Sequence, residues 1–317
     1  MEIENGWIKD VKKKDLSSAA NDKKPTYANN PIKPKRIVLH YSAGSTLKSA
    51  VDTLRGKGFA YHVLIDVDGQ PYQTRPFTIK AAHAGRSNWK ETAGLTNGNS
   101  LNDDGIGISF INLGKHAYFN KGFWYYGYDK KAKKYLAPKV ADANATKAAL
   151  VYTPGRVTHW APFEKSQFDT CKDILTTLIG QYEDISEIMG HHDIAIDEKP
   201  DPGPLMPMDD WRKEFEKEGT LGFETEVASP DGTLTLRDRP NVDDGKKIDV
   251  LKNGQKVHIR AIPYSSRKQN AIIDDGGPRF LTPWASIDID GSNSHAGFVL
   301  LKYLKDSPLA PAYKKKL

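Results

Sequence analysis

Apolar residues recur along this chain with two different periods, and the period changes where glycine, proline and asparagine cluster. Arg36 to Leu39 runs into His40, and the β-branched pair Ile37-Val38 favours a strand. Leu47, Ala50, Val51 and Leu54 follow at helical spacing, with Ser45 placed to cap the start and Gly56 and Gly58 to end it. "FAYHVLIDVDGQPYQTRP" predicts a hairpin turning at Asp68-Gly69. "GIGISFINLG" predicts a central strand, glycine-bounded and strongly apolar. Phe168, Cys171, Ile174, Leu175, Leu178 and Ile179 mark one face of a long helix. "DDWRKEFEKEG" predicts a shorter, last one. Strand, helix, hairpin, strand and helix together predict a mixed α/β fold, a mixed central sheet flanked by helices.

The pattern is different at both ends and in one interior stretch. Residues 1–34 are polar and lysine-rich and read as an N-terminal arm. Residues 35–218 carry the α/β pattern, interrupted at 115–160 by an insertion containing "YFNKGFWYYGYDKKAKKYLAPKV". One reading of the insertion is a hairpin or two extending the sheet. The other is an aromatic lip for a glycan or peptide, and the sequence leaves both open. Over 224–306, short alternating strands separated by turn residues predict a small all-β barrel or sandwich, with Asn253-Gly254 as a hairpin turn.

Composition narrows the class. Hydrophobic content of 38% with 27% charged residues fits a soluble protein with a real core. No run approaches the roughly 18 apolar residues of a membrane span, so membrane insertion is not expected. The first thirty residues hold no apolar leader region. The expectation is therefore a chain made in the cytoplasm that reaches its target after release or by a non-classical route. A single cysteine, Cys171, excludes an internal disulfide framework and reads as a buried thiol. The net charge of +6 fits nucleic acid, an anionic membrane or an anionic wall polymer. No helix-turn-helix, zinc-finger or RNP signature is present, so no nucleic-acid partner is expected.

The stretch "MGHHDIAIDEKPDPGP", 189–204, changes the picture most. Its prolines at 200, 202 and 204 stiffen a polar loop. A catalytic zinc takes three protein ligands and leaves one position open. His40 at a strand end, His191 after Gly190, and Asp201 between two prolines supply the right donor types. Lys199 precedes Asp201 by two residues, and Pro200 biases it toward extended backbone, which puts both side chains on one face. Each feature also has an ordinary reading: a strand-end histidine is commonly a hydrogen-bonded core residue, and "DPGP" is commonly a turn.

Taken in order, "IVLHYSAG", "FAYHVLIDVDGQPYQ", "AAHAGRSNW", "GIGISFIN" and "GHHDIAIDEKPDPGP" resemble the zinc-dependent N-acetylmuramoyl-L-alanine amidases, a family that includes phage lysozyme-type enzymes and peptidoglycan recognition proteins. The resemblance runs from Arg36 to about Trp211. It implies Zn2+ on His40, His191 and Asp201, with His191 preferred to His192. It implies catalytic roles for Lys199, stabilising an oxyanion, and Tyr61, hydrogen-bonding the reacting centre. His83 falls near the cleft, where it contacts substrate or supports a metal ligand. The implied substrate is the amide joining N-acetylmuramic acid to L-alanine in peptidoglycan, and the implied setting is cell-wall lysis of the endolysin or secreted-effector kind. A non-catalytic peptidoglycan-binding protein and a stem-peptide metallopeptidase are the alternatives. One departure stands out: a branch of the family carries glutamate where this chain has Ser109, so that either Tyr61 with Lys199 carries the proton work or another acid, Asp193 or Glu198, reaches in. Residues 224–306 more loosely resemble a bacterial SH3-like wall-targeting domain, through "LTLRDRPN", "VLKNGQKVHI", Trp284 and "GFVLLKYL".

Overall fold

A computed structural model describes residues 1–13, 30–85, 87, 101–148, 157–195, 199–215, 223–238, 245–261, 284–289, 296–300 and 303–305. The chain begins with β1 (Ile3–Glu4), β2 (Trp7–Ile8) and β3 (Lys12–Lys13), then β4 (Arg36–Tyr41), α1 (Leu47–Lys57), β5 (Val63–Ile65), β6 (Pro71–Gln73) and β7 (Gly105–Phe110). The interior stretch holds β8 (Lys115–His116), β9 (Tyr118–Asn120), β10 (Phe123–Asp129), β11 (Lys134–Ala141), β12 (Lys147–Ala148) and β13 (Thr158–Trp160). After it come α2 (Lys165–Gln181), β14 (Glu187–Gly190), α3 (His191–Ile194) and α4 (Met208–Phe215). The chain closes with β15 (Phe223–Glu226), β16 (Thr233–Arg237), β17 (Lys247–Lys252), β18 (Lys256–Ala261), β19 (Trp284–Asp288) and β20 (Ala296–Leu300).

The fold is mixed α/β. Its main sheet runs β14-β4-β7-β5-β6-β3, with β14, β4, β7 and β5 mutually parallel and β6 antiparallel to β5. The hairpin at Asp68-Gly69 forms as expected, with Gly69 in the left-handed region (φ +84°). β7 alternates in a way that places the site. Ile106, Ile108 and Phe110 join the core under α2, where Cys171, Ile174, Leu175 and Leu178 pack. Gly105, Gly107 and Ser109 therefore lie on the opposite face. His40 shares that face, because Ile37 and Leu39 of β4 are in the α2 core and His40 pairs with Ser109. α1 covers part of the same face through Ala50, Val51 and Leu54. Thr46, rather than Ser45, caps α1: its side chain accepts from the Ser49 N–H. Gly58 ends the helix in the left-handed region, while Gly56 stays within it.

Three expectations change. The N-terminal stretch is no loose arm as far as Lys13: Ile8 is buried in the main core, its N–H bonds Gln73 Oε1 at 2.6 Å, and β3 adds a strand beside β6. The described strands of the insertion do not extend the main sheet. They form two separate three-stranded sheets, β11-β10-β9 and β12-β13-β8. Asn253-Gly254 is not a hairpin turn either. β17 pairs with β16, β18 pairs with β15 and β19, and the turn carries the chain between them. The Asn253 amide fixes that corner through Ser229, accepting from its N–H and donating to its carbonyl, both at 2.8 Å.

The C-terminal strands form one antiparallel sheet, β15-β18-β19-β20-β16-β17, with its own core of Leu236, Leu251, Val257, Ile287 and Val299. It is also bonded to the first sheet by packing. Trp284 and Phe298 share an apolar cluster with Val38, Ala84, Leu101, Met189 and Ile194. Among the described residues no helix is long and apolar enough to cross a membrane.

Candidate metal centre

Ligands in parallel α/β sheets gather at the carboxyl ends of strands. Here β4 and β14 run parallel with Gly190 opposite Leu39. One step further along, His40 and His191 stand side by side. The sequence did not reveal β14: four residues between a helix and a histidine motif are too short to show a period. Asp201 comes back to this point because the His192 N–H bonds the Asp201 carbonyl at 2.7 Å, and the Lys199 N–H bonds the Ala195 carbonyl at 3.0 Å. The loop is held from beneath as well. Gly203 lies on the Trp160 ring, where an added Cβ would approach Cε3 at 2.8 Å. These bonds answer why so polar a loop is fixed.

The atoms that meet are His40 Nδ1, His191 Nδ1 and Asp201 Oδ2. Their separations are 3.1 Å between the nitrogens, 2.9 Å from His40 to Asp201, and 3.0 Å from His191 to Asp201. All three residues are buried. The far sides of the rings decide what these atoms are. His191 Nε2 faces the Ala84 carbonyl at 3.2 Å, and His83 Nε2 faces the Gly105 carbonyl at 3.1 Å. A carbonyl only accepts, so both Nε2 atoms carry hydrogen. Neutral His83 then offers a lone pair at Nδ1, and His40 Nε2 donates to it at 3.1 Å. His40 Nδ1 is thereby left with its lone pair facing the other two atoms.

Two imidazole lone pairs and a carboxylate oxygen at this range repel one another unless a proton or a cation lies among them. Burial drives the His40 pKa down to about 4, partly offset by its bond to Asp201. His83 is lowered well below the usual imidazole range, by burial first and the neighbouring histidines next. Burial opposes ionisation of Asp201, but the His191 and His40 rings overcome it and hold the carboxyl far below the usual range. The donor set fits a small divalent cation: a tetrahedron with bonds of about 2.0–2.1 Å has edges of roughly 3.3–3.4 Å, close to the triangle here.

The remaining expected residues fall around this triangle. Tyr61 lies with its ring centroid 4.8 Å from that of His40. Burial first, and the Asp201 charge second, push its phenol above the usual range, so it is a hydrogen-bond donor near neutral pH. Ser109 lies opposite His40 on β7, its buried hydroxyl without a hydrogen-bond partner among the described residues. Lys199 acts electrostatically on His40. His83 was expected to contact substrate or support a ligand, and its two ring nitrogens are occupied by His40 and Gly105. Asp193 is turned away from the triangle and does not serve as its acid. Its Oδ2 accepts from the Gly190 N–H at 2.7 Å and from Arg212 Nη2 at 2.5 Å, clamping the turn that launches His191. Glu198 lies outside the described residues.

Tyr41 went unnoticed in the sequence. It ends β4 beside His40, packs with Trp160, and its phenol is pushed up by burial first and the Asp201 charge next. Gly114, in the left-handed region at φ +68°, leaves room for its ring, since a Cβ there would meet Cζ at 2.2 Å. That glycine was the available signal.

Residues 29–204 match the family model described as N-acetylmuramoyl-L-alanine amidase. The N-acetylmuramoyl-L-alanine amidase AmiD of Escherichia coli (strain K12) is 29% identical over 181 residues, covering 55% of this chain and 50% of that protein. The chain thus spans about half the length of this curated relative. Among solved structures, AmpDh3 from Pseudomonas aeruginosa in complex with anhydromuramic pentapeptide is 20% identical over 67% of this chain and 68% of that chain, with a TM-score of 0.40. Drosophila peptidoglycan recognition protein SD is 16% identical over 67% of this chain and 100% of that chain, with a TM-score of 0.36.

Proposed function

This chain belongs to the N-acetylmuramoyl-L-alanine amidase family, and from that we propose that it hydrolyses the amide between N-acetylmuramic acid and L-alanine of peptidoglycan, using zinc held by His40, His191 and Asp201. The observation that carries the reading is the convergence of three lone-pair atoms, with ring tautomers set by the Ala84 and Gly105 carbonyls.

A bound zinc ion supplies Lewis acidity toward the amide carbonyl and an activated water near neutral pH. The chain's own residues do the rest. His83 holds the His40 ring so that Nδ1 faces inward. Lys199 places a positive charge where the amide oxygen becomes negative, a role whose loss typically costs about 2.7–4 kcal/mol in the barrier. Tyr61 enters the reaction protonated and donates a hydrogen bond to the tetrahedral centre. With serine at 109, proton transfer to the leaving amine falls to Tyr61 and Lys199. The C-terminal sheet is proposed as an SH3-like wall-targeting unit, a reading supported by its short antiparallel strands.

Mass spectrometry of purified peptidoglycan sacculi after digestion tests the activity. Release of intact stem peptides with free L-alanine amino termini, leaving peptide-free glycan, supports it. Shortened stem peptides would convert the reading to a peptidase, and a zinc-loaded chain that releases nothing would leave it a binding protein.

A further inference from the structure

Among the described residues, nothing buries the sheet β11-β10-β9. None of its residues is buried: every position of β10 is intermediate, and most of β9 and β11 is exposed. A small sheet ordinarily hides one face against a core. This one instead presents a continuous group of tyrosines. Tyr125 and Tyr135 stack with centroids 4.7 Å apart, Tyr128 lies 5.0 Å from Tyr135, and Tyr118 lies 6.1 Å from Tyr128. Lys139, the register partner of Tyr125, sits 4.2 Å over the Phe123 ring.

Charge is concentrated on the same element. Residues 115–148 hold eight lysines, two aspartates and no arginine or glutamate, a net charge of +6 that equals that of the whole chain. Lys121, Lys130, Lys131, Lys133, Lys134 and Lys139 are exposed. The Asp129 carboxylate is engaged locally, accepting from the Lys131 and Ala132 N–H groups. The element is tied to the metal centre's rim. The Tyr126 hydroxyl donates to the carbonyl of Ala43, just past His40 on the loop leaving β4.

We propose that this sheet binds the peptide-free glycan strand that the reaction leaves behind. The inference rests on the amidase reading. Hydrolysis adds water across the amide: the carbonyl carbon gains oxygen and becomes a lactyl carboxylate, and the nitrogen leaves as the stem peptide's ammonium. Each cleaved muramic residue therefore gains a negative charge. The product strand alternates sugar rings, whose C–H faces are apolar, with carboxylates. Tyrosines present broad apolar faces with polar tips, and lysines around them match the new charges. Substrate with its peptides intact lacks those lactyl charges and carries its carboxylates out along the stems, away from the sugar faces. The surface thus retains the strand already processed while the centre meets the next stem.

Equilibrium binding of the full chain to purified peptide-free glycan strands tests this, with three comparison ligands. These are the same strands methyl-esterified at the lactyl carboxylates, uncleaved strands, and a single-stranded DNA oligonucleotide. Salt-sensitive binding to the free-acid strands is expected, weaker by about tenfold or more for the ester and for the uncleaved strands, and equal affinity for uncleaved strands would overturn the claim of retention. The variant with Lys130, Lys131, Lys133 and Lys134 changed to glutamine, and separately Tyr125→Ser with Tyr135→Ser, should each bind roughly tenfold more weakly. Turnover of a small soluble muropeptide should be unchanged in both. The lysine variant alters only exposed positions, so it stays informative if the tyrosine variant misfolds. Equal affinity for the ester, wild-type affinity in the lysine variant, or tighter binding of DNA would overturn the proposal. A chain that cleaves muropeptide yet ignores the strands fails here alone. One that binds the strands in this manner without cleaving muropeptide loses the amidase reading instead.

Discussion

His40 in β4 and His191, just past the end of the parallel neighbour β14, both stand one step beyond the Leu39–Gly190 pair, and their Nδ1 atoms lie 3.1 Å from each other. That closeness is produced by the sheet, not by the histidine motif. Parallel pairing of β14 with β4 sets the spacing, and hydrogen bonds from the far side of each ring set which nitrogen faces inward.

His83 should therefore matter for metal without touching it. His83→Ala removes the acceptor that holds His40 Nε2–H, and zinc affinity should fall about 10–100-fold. Gly107→Ala should act by the same route, because its new Cβ would meet the His83 ring at 2.5 Å. Titration of metal-free protein with zinc measures both, and wild-type affinity in both variants would remove His83 from the account.

Lys199→Ala separates chemistry from metal binding. Turnover of a soluble muropeptide should drop about 10²–10³-fold, while zinc content stays at the wild-type level. A variant that loses zinc in parallel with activity would make Lys199 a structural residue.

The Asp193–Arg212 pair is nearly dry, and Arg212 Nε also donates to the Ile188 carbonyl at 3.1 Å. Arg212→Ala strands a buried carboxylate, so unfolding free energy should fall by about 3–5 kcal/mol. Denaturant titration of metal-free protein reads this directly, and a loss under about 1 kcal/mol would contradict it.

His62 links stability to pH. It is fully buried, its Nε2 faces the Ile79 carbonyl at 2.9 Å, and its Nδ1 accepts from the Gly107 N–H at 3.0 Å. Burial foremost, with help from the Arg75 charge, lowers its pKa to about 3 from 6.5. The folded value lies below the unfolded one, so the unfolded chain takes the proton first as pH falls. Its contribution is complete above about pH 6.5 and is lost toward pH 3, by about 1.4 kcal/mol per pH unit. Urea midpoints at pH 7.5 and 5.5 should differ less in His62→Gln than in the wild type.

Trp284 tests whether the C-terminal sheet supports the centre. It packs in one cluster with Ala84, whose carbonyl accepts from His191 Nε2, and with Ile194, which follows in α3. Trp284→Ala should cost about 3–5 kcal/mol and weaken zinc binding. Unchanged zinc affinity would make the sheet a separate passenger.

Much of this was legible in the residues. The strand carrying His40, the Asp68-Gly69 hairpin and the α2 face follow from period and turn chemistry, because local geometry dictates them. The three candidate ligands came from one motif and a family resemblance. What stayed hidden depends on tertiary neighbours. Nothing in "GIGIS" says that Gly107 makes room for His83, although the alternation of isoleucine with small residues reflects it. Asp193 reads as a spare acid until Arg212 arrives from α4. Asn253-Gly254 has the composition of a hairpin, yet the strands it joins find other partners.

Zinc titration of the metal-free full chain, beside Asp201→Asn, tests the central claim most directly. The account predicts a single tight zinc site per wild-type chain and a loss of at least about a hundredfold in affinity in the variant. A wild-type chain that takes up no zinc, or an Asp201→Asn chain that binds it equally well, would contradict it.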